Sequence, residues 1–269
     1  MVRVCEDACE KAGLKLSDIA RIGIGSPGMI DSEKGIIEFA GNLDFTDVPM
    51  AKLVGDITGI PTFIENDANA AAYGEFVAGA GKGCKSFIAI TLGTGVGSGI
   101  IVDGKLIKGA SSAIGEMGHI VIEVDGVPCT CGRKGCFEVY ASATGLIRMT
   151  KEAMDADKDS IMWDMCKDSH VSGRTAFEAM RAGDNAGKQV VDKYIKYLAA
   201  GVANAINIFA PEVICIGGGV CNEGDALMIP LIKAVREEQF GGIERNKTEI
   251  CRATLGNDAG IIGAAFLNK

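Results

Sequence analysis

Residues 61–76 read PTFIENDANAAAYGEF. Pro61 to Glu65 reads as a strand whose end is polar, and an alanine-rich run of good helix formers starts near Ala68. Between the two stand three consecutive polar residues, Glu65, Asn66 and Asp67. A buried strand that empties through a turn into a helix is the repeating unit of an α/β sheet, and ligands sit at the carboxyl ends of such strands. Asp67 would lie at that edge, at a helix N-terminus. Asp and Asn are also ordinary helix caps worth about 1 kcal/mol, although three polar residues exceed what one cap needs. Capping and catalysis both stay open on these residues alone.

The same theme recurs outward from this stretch. Upstream, residues 2–13 have a helical pattern ending at Gly13, and ARIGIGSPGMID (20–31) reads as a strand, Ile22–Gly25, running into a Ser26-Pro27-Gly28 turn. GIIEFAGNLDF (35–45) suggests a short strand and a loop that carries Asn42, and residues 49–58 form a helix. Downstream, KSFIAITLGTGVGSGIIVDGKLIKG (85–109) predicts strands over Ile88–Leu92 and Gly99–Val102, with Asp103-Gly104 as a tight turn into Lys105–Lys108. The link LGTGVGSG places glycines at 93, 95, 97 and 99 around Thr94. Bare amides in such a loop can surround a phosphate, with the Thr94 hydroxyl as a further donor; ordinary turn chemistry is the plain alternative. The spacing fits neither a P-loop nor the dinucleotide fingerprint. A long helix is expected over 185–209, with an apolar face from Val190 to Phe209 and Pro211 marking its end. Val213–Ile216 is another buried strand, and Gly217-Gly218-Gly219 would let a nucleotide or sugar ring approach the backbone. A last strand and a small-residue helix from about Asn257 complete the chain. Strand–turn–helix units on either side of Ala70 suggest two similar lobes.

One stretch carries a different chemistry. Gly115–Ser142 reads GEMGHIVIEVDGVPCTCGRKGCFEVYAS, and His119, Cys129, Cys131 and Cys136 have the spacing H-x9-C-x-C-x4-C. One nitrogen and three sulfurs are the ligand set of a closed, tetrahedral structural zinc site. Gly132 and Gly135 would let so short a loop wrap back on a metal. The alternative is three buried thiols beside a chance histidine. His170, far from this cluster, reads as a solvated residue.

Composition sets the bounds. The chain has 269 residues, 48% hydrophobic, with 37 glycines and 6% aromatic residues, enough for one large or two moderate domains with real cores. A net charge of −8 argues against a nucleic-acid partner. No apolar run has the length of a membrane span, and MVRVCEDACEKAG carries acids where a signal peptide would be apolar. A cytoplasmic location, no membrane partner, and reduced thiols for the seven dispersed cysteines are expected.

ENDANAAA, LGTGVGSG, GEMGH, CTCGRKGCFE, ASATG, IGGGV and LGNDAGIIGAA occur in this order. Together they resemble the ROK family of sugar kinases and related repressors, its bacterial glucokinase branch above all, over essentially the whole chain. The resemblance implies an α/β fold of the actin-like, ribonuclease-H-type ATPases, two lobes with a nucleotide cleft between them. Residues 1–70 would form an incomplete small lobe, 71–255 a large lobe with the zinc loop, and 256–269 a C-terminal helix returning to the small lobe. The implied activity is transfer of a phosphoryl group from ATP, with Mg2+, to a hexose, glucose in the first place, as in glycolysis, by a homodimer. Asp67 is implied as the general base that takes the sugar hydroxyl proton. Gly28, Asn42, Asn66, Glu116, His119 and Glu138 match positions that hold the sugar; Glu116 and His119, three apart, would face the same way on one helical turn. His119 would serve zinc through one ring nitrogen and the sugar through the other. Gly93, Thr94, Gly95 and Gly97 match the second phosphate loop, and Gly217, Gly218 and Gly219 the adenosine loop. Family kinases open with a strand ending in Asp-x-Gly-Gly-Thr; nothing before Gly25 resembles it, so that roughly 45–50 residues, three strands, are missing by this comparison. A sugar-responsive repressor of the same family, or an inactive sugar-binding fragment, is the competing reading; ENDAN together with both glycine loops favours the kinase.

Overall fold

The computed structural model describes residues 1–109, 114–166 and 170–268. The first third of the chain runs α1 (Val2–Lys11), β1 (Ile22–Ser26), β2 (Met29–Asp31), β3 (Ile36–Ala40), β4 (Phe45–Val48), α2 (Met50–Thr58), β5 (Thr62–Asn66) and α3 (Asp67–Ala78). Then come β6 (Phe87–Leu92), β7 (Val96–Val102), β8 (Lys105–Leu106), α4 (Glu138–Ala141), α5 (Ala143–Ala156), α6 (Met162–Met165) and α7 (Thr175–Arg181). The rest is α8 (Asn185–Phe209), β9 (Val213–Gly217), α9 (Asp225–Glu238), α10 (Gly242–Arg245), β10 (Glu249–Arg252) and α11 (Asp258–Phe266). Two compact units are formed: Met1–Lys85 with Gly99–Gly115 and Thr254–Lys269, and Ser86–Ser98 with Glu116–Ala253.

In the first unit β1 and β5 pair in parallel, with Gly25 opposite Glu65 and Ser26 opposite Asn66. Beside them β2, β3 and β4 make an antiparallel sheet. Ile22, Ile30, Ile37, Val54, Ile60 and Ile64 meet in one core under α2. The two alanine-rich helices α3 and α11 owe their close packing to missing side chains. A Cβ on Gly74 would stand 2.0 Å from the Ala259 oxygen, and one on Gly263 1.7 Å from the Ala70 oxygen. Neither helix needs a broad apolar stripe, because the small residues let the two backbones approach and bury the facing positions, among them Ala70, Gly74, Ala259 and Gly263.

In the second unit β10, β9 and β6 lie side by side and parallel. β6 turns through Gly93–Gly95 into β7, whose later residues pair antiparallel with β8 in the first unit's segment. Asp103 (φ 51°) and Gly104 (φ 75°) make the tight turn that their sequence demands. β7 begins at Val96, not at Gly99, so Gly97 is a strand residue and not part of the loop. The 25-residue α8 has the bounds its periodicity predicts, with Tyr194, Leu198 and Val202 fully buried. Gly201 on this helix makes room for the Phe137 ring, which a Cβ would meet at 2.2 Å, and the Tyr194 hydroxyl donates to the Ala141 carbonyl at 2.7 Å. The segment directly after the third clustered cysteine is thereby pinned to the longest helix. No described helix is long and apolar enough to cross a membrane.

Candidate functional site

The polar triplet divides its labour. β5 ends at Asn66 and α3 starts at Asp67, one residue before Ala68. Asn66 is the cap: its Oδ1 accepts from the backbone N–H of Ala68 at 2.9 Å and of Asn69 at 3.2 Å. Its side-chain amide donates to the Gly28 carbonyl at 3.1 Å, which ties two of the predicted sugar residues of this unit together. Gly28 has φ 103° and lies so close to β3 that a Cβ would meet the Phe39 oxygen at 2.2 Å. Asp67 is exposed in the first turn of α3, and its Oδ1 shares the Ala68 N–H at 2.9 Å. The carboxylate therefore stands open to solvent at the N-terminus of α3, at the carboxyl end of β5. Asn42 is exposed in the turn between β3 and β4.

The second unit holds the remaining predicted residues. The Gly93–Gly95 loop is closed by the Gly93 N–H on the Gly95 carbonyl at 3.0 Å. It is braced from α5: the Ala143 N–H donates to the Gly93 carbonyl at 2.9 Å and the Thr144 hydroxyl to the Thr94 carbonyl at 2.8 Å. Glu138 Oε2 accepts from the Val96 N–H at 3.1 Å, and a Cβ on Gly95 would stand 2.1 Å from that oxygen. A side chain at 95 would therefore have to displace the Glu138 carboxylate from the Val96 N–H. Gly218 (φ 89°) packs on the end of β6, where a Cβ would meet the Leu92 oxygen at 2.4 Å, whereas Gly219 has open space beside it. A cavity of about 310 Å³ in the first unit and one of about 350 Å³ beside Thr94, Gly95 and Glu138 in the second are lined by these segments.

Glu116 directly precedes a single 3-10 turn, Met117–His119, without a side-chain capping bond, and it faces the histidine three positions on: Glu116 Oε2 lies 3.9 Å from His119 Nε2. The other ring nitrogen, Nδ1, faces Cys129 Sγ at 3.7 Å, and Cys131 Sγ is 3.6 Å from Cys136 Sγ. All four ligand atoms lie within 4.8 Å of one another. Ligands around a tetrahedral zinc stand roughly 3.5–3.8 Å apart, so this set fits that ion. Gly132 and Gly135 have φ 88° and 74°, and a Cβ on Gly135 would stand 1.6 Å from the Glu123 oxygen, so no other residue closes this loop. Burial pushes the Cys136 thiol up to about 12, while the Arg133 backbone N–H lowers the exposed Cys131. Cys129 Sγ is also 3.9 Å from Glu138 Oε1. Glu138 thus stands between the cysteine loop and the glycine loop. His170 is exposed and outside this group.

The ROK family profile matches residues 1–269. The chain belongs to the ROK family. It is 41% identical to a glucokinase of Halalkalibacterium halodurans over 94% of this chain and 77% of that protein. The solved structure of a ROK family glucokinase from Streptomyces griseus, in complex with glucose and AMPPNP, superimposes with a TM-score of 0.82 at 37% identity, covering 93% of this chain and 81% of that one. A xylose repressor of Caldicellulosiruptor bescii is 31% identical over 87% of this chain and 59% of the repressor. The fold is accordingly the actin-like α/β fold of ROK sugar kinases, as the motif order implies.

Two contacts join residues that the ROK motifs contain but do not pair. Thr144 reads only as a residue near a helix start, yet its hydroxyl braces Thr94; Glu138 reaches Val96 across 42 positions of sequence. Neither spacing belongs to a periodic element, so nothing local announces it.

Proposed function

We propose that this ROK protein is a hexose kinase that transfers the γ-phosphoryl group of ATP to glucose, giving glucose 6-phosphate, with Asp67 as the general base. The observation that carries the reading is the division of roles in the ENDAN turn. Asn66 does the capping, which leaves the neighbouring Asp67 carboxylate exposed at the carboxyl end of a parallel strand. Phosphoryl transfer asks the protein for positioning, charge balance and a proton acceptor in line with the attacking hydroxyl. Asp67 would take that proton at a carboxylate oxygen while Asn66, Gly28 and Asn42 hold neighbouring sugar hydroxyls. Glu116, His119 and Glu138 would hold others, since carboxylate and imidazole groups suit the donors and acceptors of a polyol. Gly93, Thr94 and Gly95 would face the phosphates and Gly217–Gly219 the nucleoside, with Gly97 contributing only through its strand. The ATP-bound Mg2+ would neutralise phosphate charge. A zinc ion on His119, Cys129, Cys131 and Cys136 would be structural, holding the loop that presents Glu116, His119 and Glu138.

A coupled assay with ATP and glucose tests this directly. Phosphorylation that is lost in Asp67→Asn, with folding intact, supports the base; equal turnover in both proteins removes Asp67 from the mechanism. The likeness to xylose repressors supports a second reading, a sugar-responsive module without catalysis. It predicts sugar binding with no hydrolysis or transfer of phosphate under any hexose.

A further inference from the structure

Among the described residues, Glu65 is a buried carboxylate that the mechanism above leaves unused. Glu65 precedes the Asn66–Asp67 pair on β5, and its side chain is 4% exposed. Its Oε1 accepts from the Asn66 backbone N–H at 3.0 Å and from the Asn69 side-chain amide at 3.1 Å. Its Oε2 is buried with no hydrogen-bond partner. Lys108 Nζ lies 3.5 Å from that oxygen and donates to the Ser32 hydroxyl at 2.8 Å. Lys108 follows β8, and the three side chains line the 310 Å³ cavity together with Phe63, Tyr73 and Leu106.

A carboxylate buried to this depth is costly unless a counter-charge and hydrogen bonds compensate it. Helix capping does not account for it, because Asn66 caps α3. What Glu65 does hold is the residue immediately before Asp67 and the one two places after it, so its carboxylate clasps the turn on both sides of the proposed base. We propose that Glu65 and Lys108 are a positioning pair for Asp67: Lys108, seated on Ser32, balances the buried carboxylate, and the carboxylate fixes the Asn66–Asn69 turn from which Asp67 projects. The inference rests on Asp67 being the base, and it concerns geometry, since neither Glu65 nor Lys108 touches substrate. A displacement on the order of 1 Å at a reacting group costs up to roughly 100-fold in rate, so a loosened clasp is felt in turnover.

The test uses the full chain and the variants Lys108→Met, Lys108→Arg, Glu65→Gln and Ser32→Ala. Glucose phosphorylation is followed alongside the amide resonances of the Asn66 backbone and the Asn69 side chain. Lys108→Met is expected to lower kcat by roughly 10-fold or more, to leave KM for ATP within about twofold, and to shift both resonances. Lys108→Arg keeps the charge and restores both readouts; Glu65→Gln moves them in the same direction as Lys108→Met. Should Lys108→Met fail to fold, Ser32→Ala, which removes only the hydroxyl under Lys108, carries the same expectation at a few-fold scale. Unchanged kcat with unmoved Asn66 and Asn69 resonances in a folded Lys108→Met overturns the pair, even where Asp67→Asn is inactive. Full activity in Asp67→Asn overturns the base instead, and the resonances then judge the clasp by themselves, as they do if no hexose is turned over.

Discussion

The turn at residues 65–69 and the loop from His119 to Glu138 are held in opposite ways. The turn is closed by its own hydrogen bonds: one asparagine caps the helix and reaches Gly28, and one buried carboxylate grips the turn from within. The cysteine loop converges three thiols and an imidazole that make no strong bonds to one another, on a backbone forced through two left-handed glycines. A carboxylate can balance itself with local N–H groups, but clustered thiols gain their large stabilisation from a cation that displaces their protons. The difference says where chemistry and where scaffolding belong. The turn keeps an exposed carboxylate in place by hydrogen bonds alone; the loop has backbone bonds of its own, such as the Cys129 N–H on the Arg133 carbonyl at 2.8 Å, and would gain further stability from an ion on its four ligands.

Substitutions test that contrast, and the largest effect is expected at Asp67. Asp67→Asn should lower kcat by about 10²–10⁴-fold with an unchanged melting curve, because the residue is exposed and the cap is its neighbour; a large loss of stability would show that Asp67 is structural after all. Cys129→Ser should abolish binding of one zinc per chain, measured by metal analysis. It should also cost the second unit about 3 kcal/mol, a fall of roughly 6–12 °C in melting temperature; a zinc-free, equally stable wild type would turn the loop into a self-sufficient one like the turn. Gly95→Ala should raise KM for ATP several-fold, roughly 1 kcal/mol, since its Cβ meets Glu138 only 2.1 Å away. No change in nucleotide binding by calorimetry would mean that the glycine serves packing alone. The smallest effect is Asn66→Ala, which should cost about 1 kcal/mol in urea unfolding for the lost cap. A cost near zero would shift the holding of the turn wholly onto Glu65.

Much of the fold is legible in local pattern. α8 could be read from Val190 to Ile206 because an amphipathic helix repeats its burial every turn, and the hairpin at Asp103-Gly104 because few residue pairs accept positive φ twice. The short strands β2 and β4 were not read, as three or four residues carry too little periodicity and depend on pairing with β3. The family resemblance matches Gly97 to the phosphate loop, whereas β7 spans Val96–Val102 and includes it. In the candidate site, residue types and order named Asp67 and the zinc ligands, while nothing in the spacing separated the capping role of Asn66 from that of Asp67.

By itself the sequence determined the α/β alternation, the ROK motif order and the clustering of four metal-ligand residues within 18 positions, since each is carried by neighbours along the chain. Only the tertiary structure decided that Glu138 joins the cysteine loop to Val96, and that Lys108 faces Glu65 across 43 positions. A hydrogen bond or ion pair is set by distance in space, and a partner dozens of residues away is fixed by packing that no local pattern encodes.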